Sequence, residues 1–135
     1  MKIIVGISNL IDIKPVFKAG ADEVYCSLVA DPKTGFYAHR KNIAQFNLRN
    51  LSELKKAVKI THKLNKKIYL AVNEIKFTTE QLERATSSIK SMDKIGLDGF
   101  IARDISFLLH LNRLNIKAER HLSTLASCFN SETTN

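Results

Sequence analysis

A short stretch near the end of the chain, ERHLSTLASCFN, combines an imidazole with a carboxylate and several hydroxyl groups. His121 is the best single candidate for a catalytic residue, because imidazole can act as a general base, a metal ligand or a hydrogen-bond donor near neutral pH. Ser123 follows two residues later, so on a strand both side chains would share one face, and the pair matches a nucleophile and its base in composition. A lone histidine on a strand is more often a satisfied core residue, and that alternative stays open.

Other polar side chains stand where predicted strands end. Glu74 is a candidate general base, although a carboxylate on a loop is more often simply solvated. Asn73 can bind substrate or satisfy loop backbone. Arg103 can clamp a carboxylate or a phosphate through two parallel hydrogen bonds, or it can pair with Asp104 or Glu74 instead. Asp104 is better explained as a helix N-cap than as a ligand.

The cysteine content bears on metals, cofactors and compartment. Cys26 and Cys128 are the two cysteines, which are too few for a disulfide framework or a four-thiolate site. No second histidine or cysteine stands near them at zinc-ligand spacing. We therefore expect no metal site and no cofactor held by this chain, and we expect reduced thiols in a cytoplasmic protein.

The candidate residues lie on alternating strand-like and helix-like segments. Short β-rich runs predict strands at 2–8, 22–28, 66–73, 98–103 and 116–123. Longer segments predict helices at 12–20, 51–64, 78–95 and 105–114, and a long polar loop is predicted at 29–48. Residues that can cap these helices are Asp12, Asn50 with Glu53, Thr78 with Gln81, and Asp104.

One internal recurrence supports this alternation. The segments KAGADEVY (18–25) and KIGLDGFI (94–101) share a lysine, a glycine, an aspartate and two apolar residues at the same spacing. Each predicts the end of a helix, a glycine in a left-handed turn, and then a buried strand. Strands separated by helices in this way form parallel sheets.

The alternation predicts an α/β fold, a partial (β/α) TIM-type barrel with about five strands, in a single domain over residues 1–135. A doubly wound sheet is the competing architecture, and the missing G-x-G-x-x-G after the first strand weakens a dinucleotide-binding interpretation. A full barrel has eight strands and about 250 residues, so we expect a truncated barrel. Because five strands cannot close it, we expect self-association through the open sheet edges.

The net charge of +8 is the unusual bulk property. A basic surface favours polyanions, and we predict weak, non-specific RNA binding that depends steeply on salt. A lysine-rich proteome explains the same charge without any partner. Lysines at helical spacing can form a phosphate-binding stripe or a solvated outer face: Lys55, Lys59, Lys63 and Lys66. No apolar run is long enough to span a bilayer.

Four motifs, in order, carry a family resemblance: AGADEVY, NLSELKKAVKITHKLNKKIYLAVN, IGLDGFIARDISFLLHL and ERHLSTLASCFN. Together they resemble the amino-terminal half of the collagenase-like peptidase U-32 family, from about Met1 to Asn130. Residues that match the family pattern are Arg40, Phe46, Val72, Asn73, Asp104, His121, Ser123 and Asn130. The resemblance implies substrate-binding roles for Arg40 and Asn130, beside Asn73 and Arg103. Leu125 departs from a glutamine common at its place.

The run from Glu119 to Ser127 is most similar to the branch that assists oxygen-independent ubiquinone hydroxylation. Other branches hydroxylate ribosomal or transfer RNA, and some members are described as proteases. Several members hold an iron–sulfur cluster through four cysteines downstream of the matching segment. The resemblance thus implies an enzyme, or half of one, with His121, Ser123 and Glu74 as catalytic candidates. The alternative is a non-catalytic half barrel that acts only by self-association or with a complementary partner.

Overall fold

The computed structural model describes residues 1–29 and 47–126. The described strands are β1 (Ile4–Gly6), β2 (Glu23–Cys26), β3 (Lys67–Val72), β4 (Gly99–Ala102) and β5 (Glu119–Leu122). The described helices are α1 (Ile13–Lys18), α2 (Leu51–Lys63), α3 (Thr79–Lys94) and α4 (Ile105–Arg113), with short 3-10 turns at Leu10–Asp12 and Thr124–Ala126. Most of the predicted loop at 29–48 lies outside the described residues.

The five strands form one parallel sheet in which every strand pairs with the next one along the chain, in the order β1-β2-β3-β4-β5. The predicted fold of parallel βα units is confirmed. A doubly wound sheet would change direction at a switch point, and this sheet does not. The arrangement is that of a partial (β/α) barrel, open between β1 and β5.

Alternate strand residues pack against the helices and form the core. The strand residues of this core are Val24, Cys26, Ile68, Leu70, Val72, Phe100 and Ala102. The helices contribute Ile13, Leu54, Val58, Ile89, Met92, Phe107 and Leu111. Phe107 stacks on Phe77 with ring centroids 4.9 Å apart, and it meets Phe100 edge-on at 6.1 Å. Each fully buried side chain of this size stabilises the fold by about 1.5–3 kcal/mol.

The opposite side of the sheet, which we call the inner face, carries polar and aromatic side chains. Its members alternate with the core residues: Glu23, Tyr25, Lys67, Tyr69, Glu119 and His121. The register aligns Tyr25 with Tyr69, Tyr69 with Gly99, and Gly99 with Glu119. The side chains of Tyr25, Tyr69 and Glu119, on β2, β3 and β5, therefore lie at one level of the inner face, and Gly99 of β4 adds no side chain there.

The helix caps were predicted with mixed success. Asp104 caps α4 by accepting from the backbone N–H of Ser106 at 2.8 Å, and Thr78 and Gln81 form the predicted reciprocal capping box of α3. Asn50 caps α2, but the Glu53 carboxylate accepts from the backbone N–H of Arg49, one residue before the cap. The capping-box part of that prediction was wrong, because the carboxylate accepts from the N–H of Arg49 and not from that of Asn50.

Asp12 occupies the predicted N-cap position of α1, but its side chain makes no capping hydrogen bond to that helix. The 3-10 turn Leu10–Asp12 runs directly into α1, and Asn9 caps that turn by accepting from the N–H of Ile11 at 3.0 Å. The Asp12 carboxylate reaches backwards and accepts from the N–H groups of Ser8 and Asn9 at 3.1 and 3.0 Å. Asp12 therefore stabilises the turn before the helix instead of the start of α1.

The repeated glycine–aspartate motif has a structural role in both copies. Gly20 and Gly96 have φ angles of 106° and 86°, the left-handed conformation predicted for them after α1 and α3. Asp22 accepts from the backbone N–H of Ile3 at 2.8 Å, and Asp98 accepts from the backbone N–H of Ile68 at 2.9 Å. Each aspartate thus binds the beginning of the strand that precedes its own in the sheet.

Exposed apolar side chains collect at the two open ends of the sheet. The β1 end exposes Ile3, Ile4 and Ile11, and the other end exposes Ile105, Leu109, Leu122 and Leu125. These are the two places where a closed barrel would have neighbouring βα units. None of the helices in residues 1–29 and 47–126 combines the length and apolar character that a bilayer crossing requires.

Candidate functional site

A groove of about 830 Å³ opens where the strands end. Residues from all five strands or the segments that follow them line it: Ile4, Gly6, Ile7, Ser8, Tyr25, Cys26, Ser27, Asn47, Ala71, Asn73, Ile101, Arg103, His121, Leu122, Ser123, Thr124 and Leu125. Parallel strands bring their carboxyl ends to one rim, and in (β/α) barrels the active site lies at that rim. The groove is therefore the candidate site.

Four of the predicted site residues come together in this groove: Asn73, Arg103, His121 and Ser123. They belong to three consecutive βα units, so their meeting depends on the parallel order of β3, β4 and β5. Glu74 is not among the groove-lining residues, and its carboxylate accepts from the backbone N–H of Ile75 at 3.2 Å. Arg40 and Asn130 lie outside the described residues.

Asn73 and Arg103 supply groups that a ligand could bind. The side-chain oxygen of Asn73 is shielded from solvent and has no hydrogen-bond partner among the described residues. A buried polar atom without a partner is costly, which marks the position as one that a ligand could satisfy. Among residues 1–29 and 47–126, Arg103 forms no ion pair. The neighbouring Asp104 carboxylate accepts instead from the backbone N–H of Phe77 and from the backbone N–H and hydroxyl of Ser106.

His121 and Ser123 lie in the same groove but have different partners. The His121 Nε2 atom is 3.0 Å from a carboxylate oxygen of Glu119. Ser123 is only 7% exposed, and its hydroxyl oxygen accepts from the backbone N–H of Leu125 at 3.2 Å. Their adjacency in sequence therefore does not produce a hydrogen-bonded nucleophile and base in this structure.

The thiol of Cys26 has no catalytic character. It is buried beneath the groove and donates to the backbone oxygen of Tyr69 at 3.7 Å. Burial raises the pKa of this thiol to about 12, so it stays protonated and unreactive at neutral pH. Cys128 lies outside the described residues.

These donors do not fit an iron–sulfur cluster of the usual four-thiolate type. The chain has only two cysteines, and the described one is a protonated core thiol. Residues 1–29 and 47–126 also contain no cluster of three or more histidine, cysteine, aspartate or glutamate side chains suited to a metal ion.

Comparison with known protein families matches Peptidase family U32 over residues 8–135. The chain belongs to peptidase family U32. This confirms the family that the sequence motifs indicated, while the branch within the family stays a prediction.

Two solved structures resemble this U32 chain in fold. The U32 peptidase Mk0906 matches with a TM-score of 0.64 and 12% identity, covering 98% of this chain and 53% of that one. The HMG-CoA lyase of Bacillus subtilis matches with a TM-score of 0.61 and 15% identity, covering 97% of this chain and 49% of that one. The U32 chain thus spans about half the length of the solved structures that it matches.

The sequence interpretation missed a polar cluster below the groove. Lys67, Tyr69 and Glu119 meet on the inner face of this U32 sheet, beside His121. Both Lys67 and Tyr69 lie within the strand predicted at 66–73, and neither was given a functional role. The i, i+2 spacing of Lys67 with Tyr69, and of Glu119 with His121, was the available signal, because alternate strand residues share a face.

Proposed function

We propose that this U32 chain forms the substrate-binding half of an enzyme that acts in cofactor-dependent hydroxylation of a planar ring bearing carbonyl groups, with a quinone as the first candidate. The carrying observation is that, among the described residues, the Asn73 side-chain oxygen has no hydrogen-bond partner and Arg103 has no ion-pair partner, and both line one groove with the His121 imidazole. The Arg103 guanidinium can donate to a ring carbonyl oxygen, the Asn73 side-chain oxygen can accept from a ring hydroxyl group, and His121 can exchange a proton with the ring.

The size and lining of the groove support a small organic substrate. Its volume of about 830 Å³ lies within the range of about 300–1,000 Å³ that is typical of ligand pockets. Tyr25 and Ile101 provide aromatic and apolar surface, while the polar donors are few and close to the rim. Such a mixture suits a flat ring with polar substituents.

Peptide hydrolysis, the other activity associated with the family, has weaker support in this half of the barrel. A serine peptidase needs a hydroxyl within reach of its base. Here the imidazole of His121 is bonded to Glu119, and the hydroxyl oxygen of Ser123 accepts from Leu125. In the proposed function His121 acts on the substrate directly, Ser123 shapes the groove, and Glu74 remains a candidate base beside it.

The cofactor of the proposed reaction does not come from the described residues. Iron–sulfur clusters of full-length relatives use four cysteines, and the thiols of this chain do not fit that role. The proposal therefore assigns this chain the binding and orientation of the ring and no step of electron transfer. It also places the protein in the cytoplasm, where the thiol of Cys26 would stay reduced.

RNA is the second candidate substrate, and the net charge of +8 favours it. A nucleobase is also a planar ring with carbonyl groups, so the same groove would serve.

A row of lysines on α2 could bind phosphate groups. It lies along one side of the helix and lines a shallow depression of about 450 Å³ with His62: Lys55, Lys59 and Lys63. Lys66 does not extend this stripe, because its ammonium group donates to the backbone oxygen of Ala21.

A non-catalytic half barrel is the alternative from a different class. The apolar side chains at both open ends of the sheet favour association with a second copy or with a complementary half barrel. In that case the groove would serve as part of an interface.

A ligand titration followed by amide resonances of the labelled protein tests the proposal. A water-soluble short-chain ubiquinone should shift resonances at Asn73, Arg103 and His121. Arg103→Ala should weaken binding about tenfold, the loss expected for one charge-assisted hydrogen bond. Arg113→Ala is the matched control, since Arg113 is exposed at the end of α4 and outside the groove.

Two parallel titrations use a short single-stranded RNA and an unstructured peptide. Groove shifts with RNA that survive high salt would favour the second candidate. Groove shifts with the peptide alone, or none with any of the three ligands, would contradict the proposed function.

A further inference from the structure

Glu119 and His121 are two residues apart on β5, so both side chains lie on the inner face. The His121 Nε2 atom is 3.0 Å from Glu119 Oε2, and the His121 ring lies against the Tyr69 ring with centroids 4.7 Å apart. His121 lines the groove, while Glu119 lies below it. The imidazole is thus held between a carboxylate and an aromatic wall.

The Glu119 carboxylate is itself fixed by two residues of β3. Lys67 donates to Oε1, and the Tyr69 hydroxyl donates to Oε2 at 3.3 Å. Lys67, Tyr69 and His121 therefore all donate to one carboxylate. A carboxylate that accepts from three groups has a better defined orientation than one in a single ion pair.

The strand between β3 and β5 leaves room for this contact. Gly99 of β4 stands between Tyr69 and Glu119 in the register. A Cβ atom at Gly99 would come within 2.8 Å of the Glu119 backbone oxygen and 3.0 Å of the Tyr69 ring. The missing side chain lets residues of β3 reach β5 across a whole strand.

The charge state of the carboxylate decides which imidazole nitrogen carries the proton. Hydrogen bonds from Lys67 and then from His121 lower the pKa of Glu119 to about 2, so the carboxylate is ionised at neutral pH. An ionised carboxylate only accepts hydrogen bonds, and Nε2 of His121 must therefore donate. Nδ1 of His121 then has no partner among the described residues.

We propose that Glu119 is a positioning residue for His121, holding its Nε2–H so that Nδ1 is the atom that exchanges a proton with a ligand in the groove. The inference deepens the proposed function and rests on it for the identity of the ligand. Lys67 and Tyr69 act one step further away, since they hold the carboxylate and do not reach the imidazole through a hydrogen bond.

Side-chain ¹⁵N spectra of the histidines in the full chain test the proposal without any substrate. At a pH where His121 is neutral, we expect its proton on Nε2 and a nuclear Overhauser effect between its ring and Tyr69. Glu119→Gln should lose this ring contact and speed the exchange of the Nε2 proton with water about tenfold, because a hydrogen bond to a charged group is lost.

Glu23→Gln is the matched control, because it removes one carboxylate from the same face, where Glu23 pairs with Lys2 and not with His121. It should leave both His121 signals unchanged. Lys67→Met keeps the carboxylate but removes one bond that holds it, so the Nε2 proton of His121 should stay and its exchange with water should quicken less than in Glu119→Gln. If Glu119→Gln does not fold, the tautomer of His121 in the wild-type protein still tests the proposal.

A proton on Nδ1 in the wild-type protein, or unchanged His121 signals in a folded Glu119→Gln variant, would overturn the assignment. Either result would leave the quinone titration to decide the proposed function separately.

Discussion

At the scale of single residues, two glycines make space for two tyrosines on the inner face. A Cβ atom at Gly6 would lie 2.9 Å from the outer ring carbon of Tyr25, which is the movable end of a side chain. A Cβ atom at Gly99 would instead lie 2.8 Å from a backbone oxygen of β5. The second clash cannot be relieved by a side-chain rotation, so the two positions should respond differently to the same substitution.

We expect Gly99→Ala to lower the free energy of unfolding by about 1–3 kcal/mol, the usual cost of overpacking. It should also break the hydrogen bond between Tyr69 and Glu119. Gly6→Ala should cost clearly less, since Tyr25 can swing aside. Urea unfolding of both variants measures the difference, and a larger loss for Gly6→Ala would contradict the explanation.

Acid should weaken the fold partly through Glu119. Its pKa is lowered from 4.5 to about 2, chiefly by the hydrogen bond from Lys67. A lowered carboxyl pKa stabilises the folded state above pH 4.5, and the contribution disappears as pH falls through about 2. The side chain is 45% exposed and therefore screened by water, so the effect should be small.

The measurement is the difference in unfolding free energy between the wild-type protein and Glu119→Gln from pH 6 to pH 2. The difference in unfolding free energy should shrink as the pH falls through the acid range. Lys67→Met removes the main cause of the lowered Glu119 pKa, so with this substitution the difference should shrink over a narrower pH interval. A difference that stays constant with pH would show that the carboxylate has no such role.

At the scale of elements, the repeated aspartates connect each helix–strand turn to the neighbouring strand. Asp98 accepts from the N–H of Ile68, whose side chain is fully buried, while Asp22 accepts from the N–H of the exposed Ile3. Water can replace the lost partner at Ile3 more easily than at Ile68. The two copies of one motif should therefore differ in their contribution to stability.

We expect Asp98→Ala to cost about 1–3 kcal/mol, because a buried N–H loses its acceptor. Asp22→Ala should cost less, and it serves as the matched control within the same motif. Denaturant unfolding measures both. Equal losses would contradict the explanation, because Asp98 binds the more buried N–H and also pairs with His62.

Local patterns explain why the elements were predictable and the inner-face cluster was not. Glycines at 20 and 96 and caps such as Asp104 act within a few residues, and the sequence shows them directly. The bond between Lys67 and Glu119 joins residues 52 positions apart, and it depends on the register through Gly99. Periodicity assigns a residue to a face but gives no register between distant strands.

The same limit applies to the groove and to the first turn. Asn73, Arg103, His121 and Ser123 were predicted because each follows or ends a strand, and parallel strands end together. Asp12 stands at the N-cap position of α1, but its carboxylate binds the preceding backbone because a 3-10 turn runs directly into the helix. At such positions a side chain can form a hydrogen bond to any of several nearby backbone groups, and the sequence alone does not show which bond forms.

At the scale of the whole molecule, the open ends should govern association. Leu109 on α4 is 54% exposed at one end of the sheet, and Ile75 is 56% exposed in a loop away from both ends. We expect the wild-type protein to form dimers or larger species at micromolar concentration. Leu109→Lys should shift it towards monomer, whereas Ile75→Lys should not.

Light scattering coupled to size-exclusion chromatography at several concentrations measures this shift. A wild-type monomer that is unchanged on dilution and unfolds cooperatively would show that five strands with open edges are self-sufficient.

The strand order has a consequence for how the chain is made. Each strand pairs with the one synthesised just before it, so no strand must wait for a distant partner to leave the ribosome. Synthesis proceeds at roughly 5–20 residues per second, and amino-terminal segments generally fold first. A βα unit emerges within a few seconds at that rate and can dock onto a sheet edge that already exists. The edge of β5 is then the growing edge of the sheet, and the groove deepens with every unit that is added.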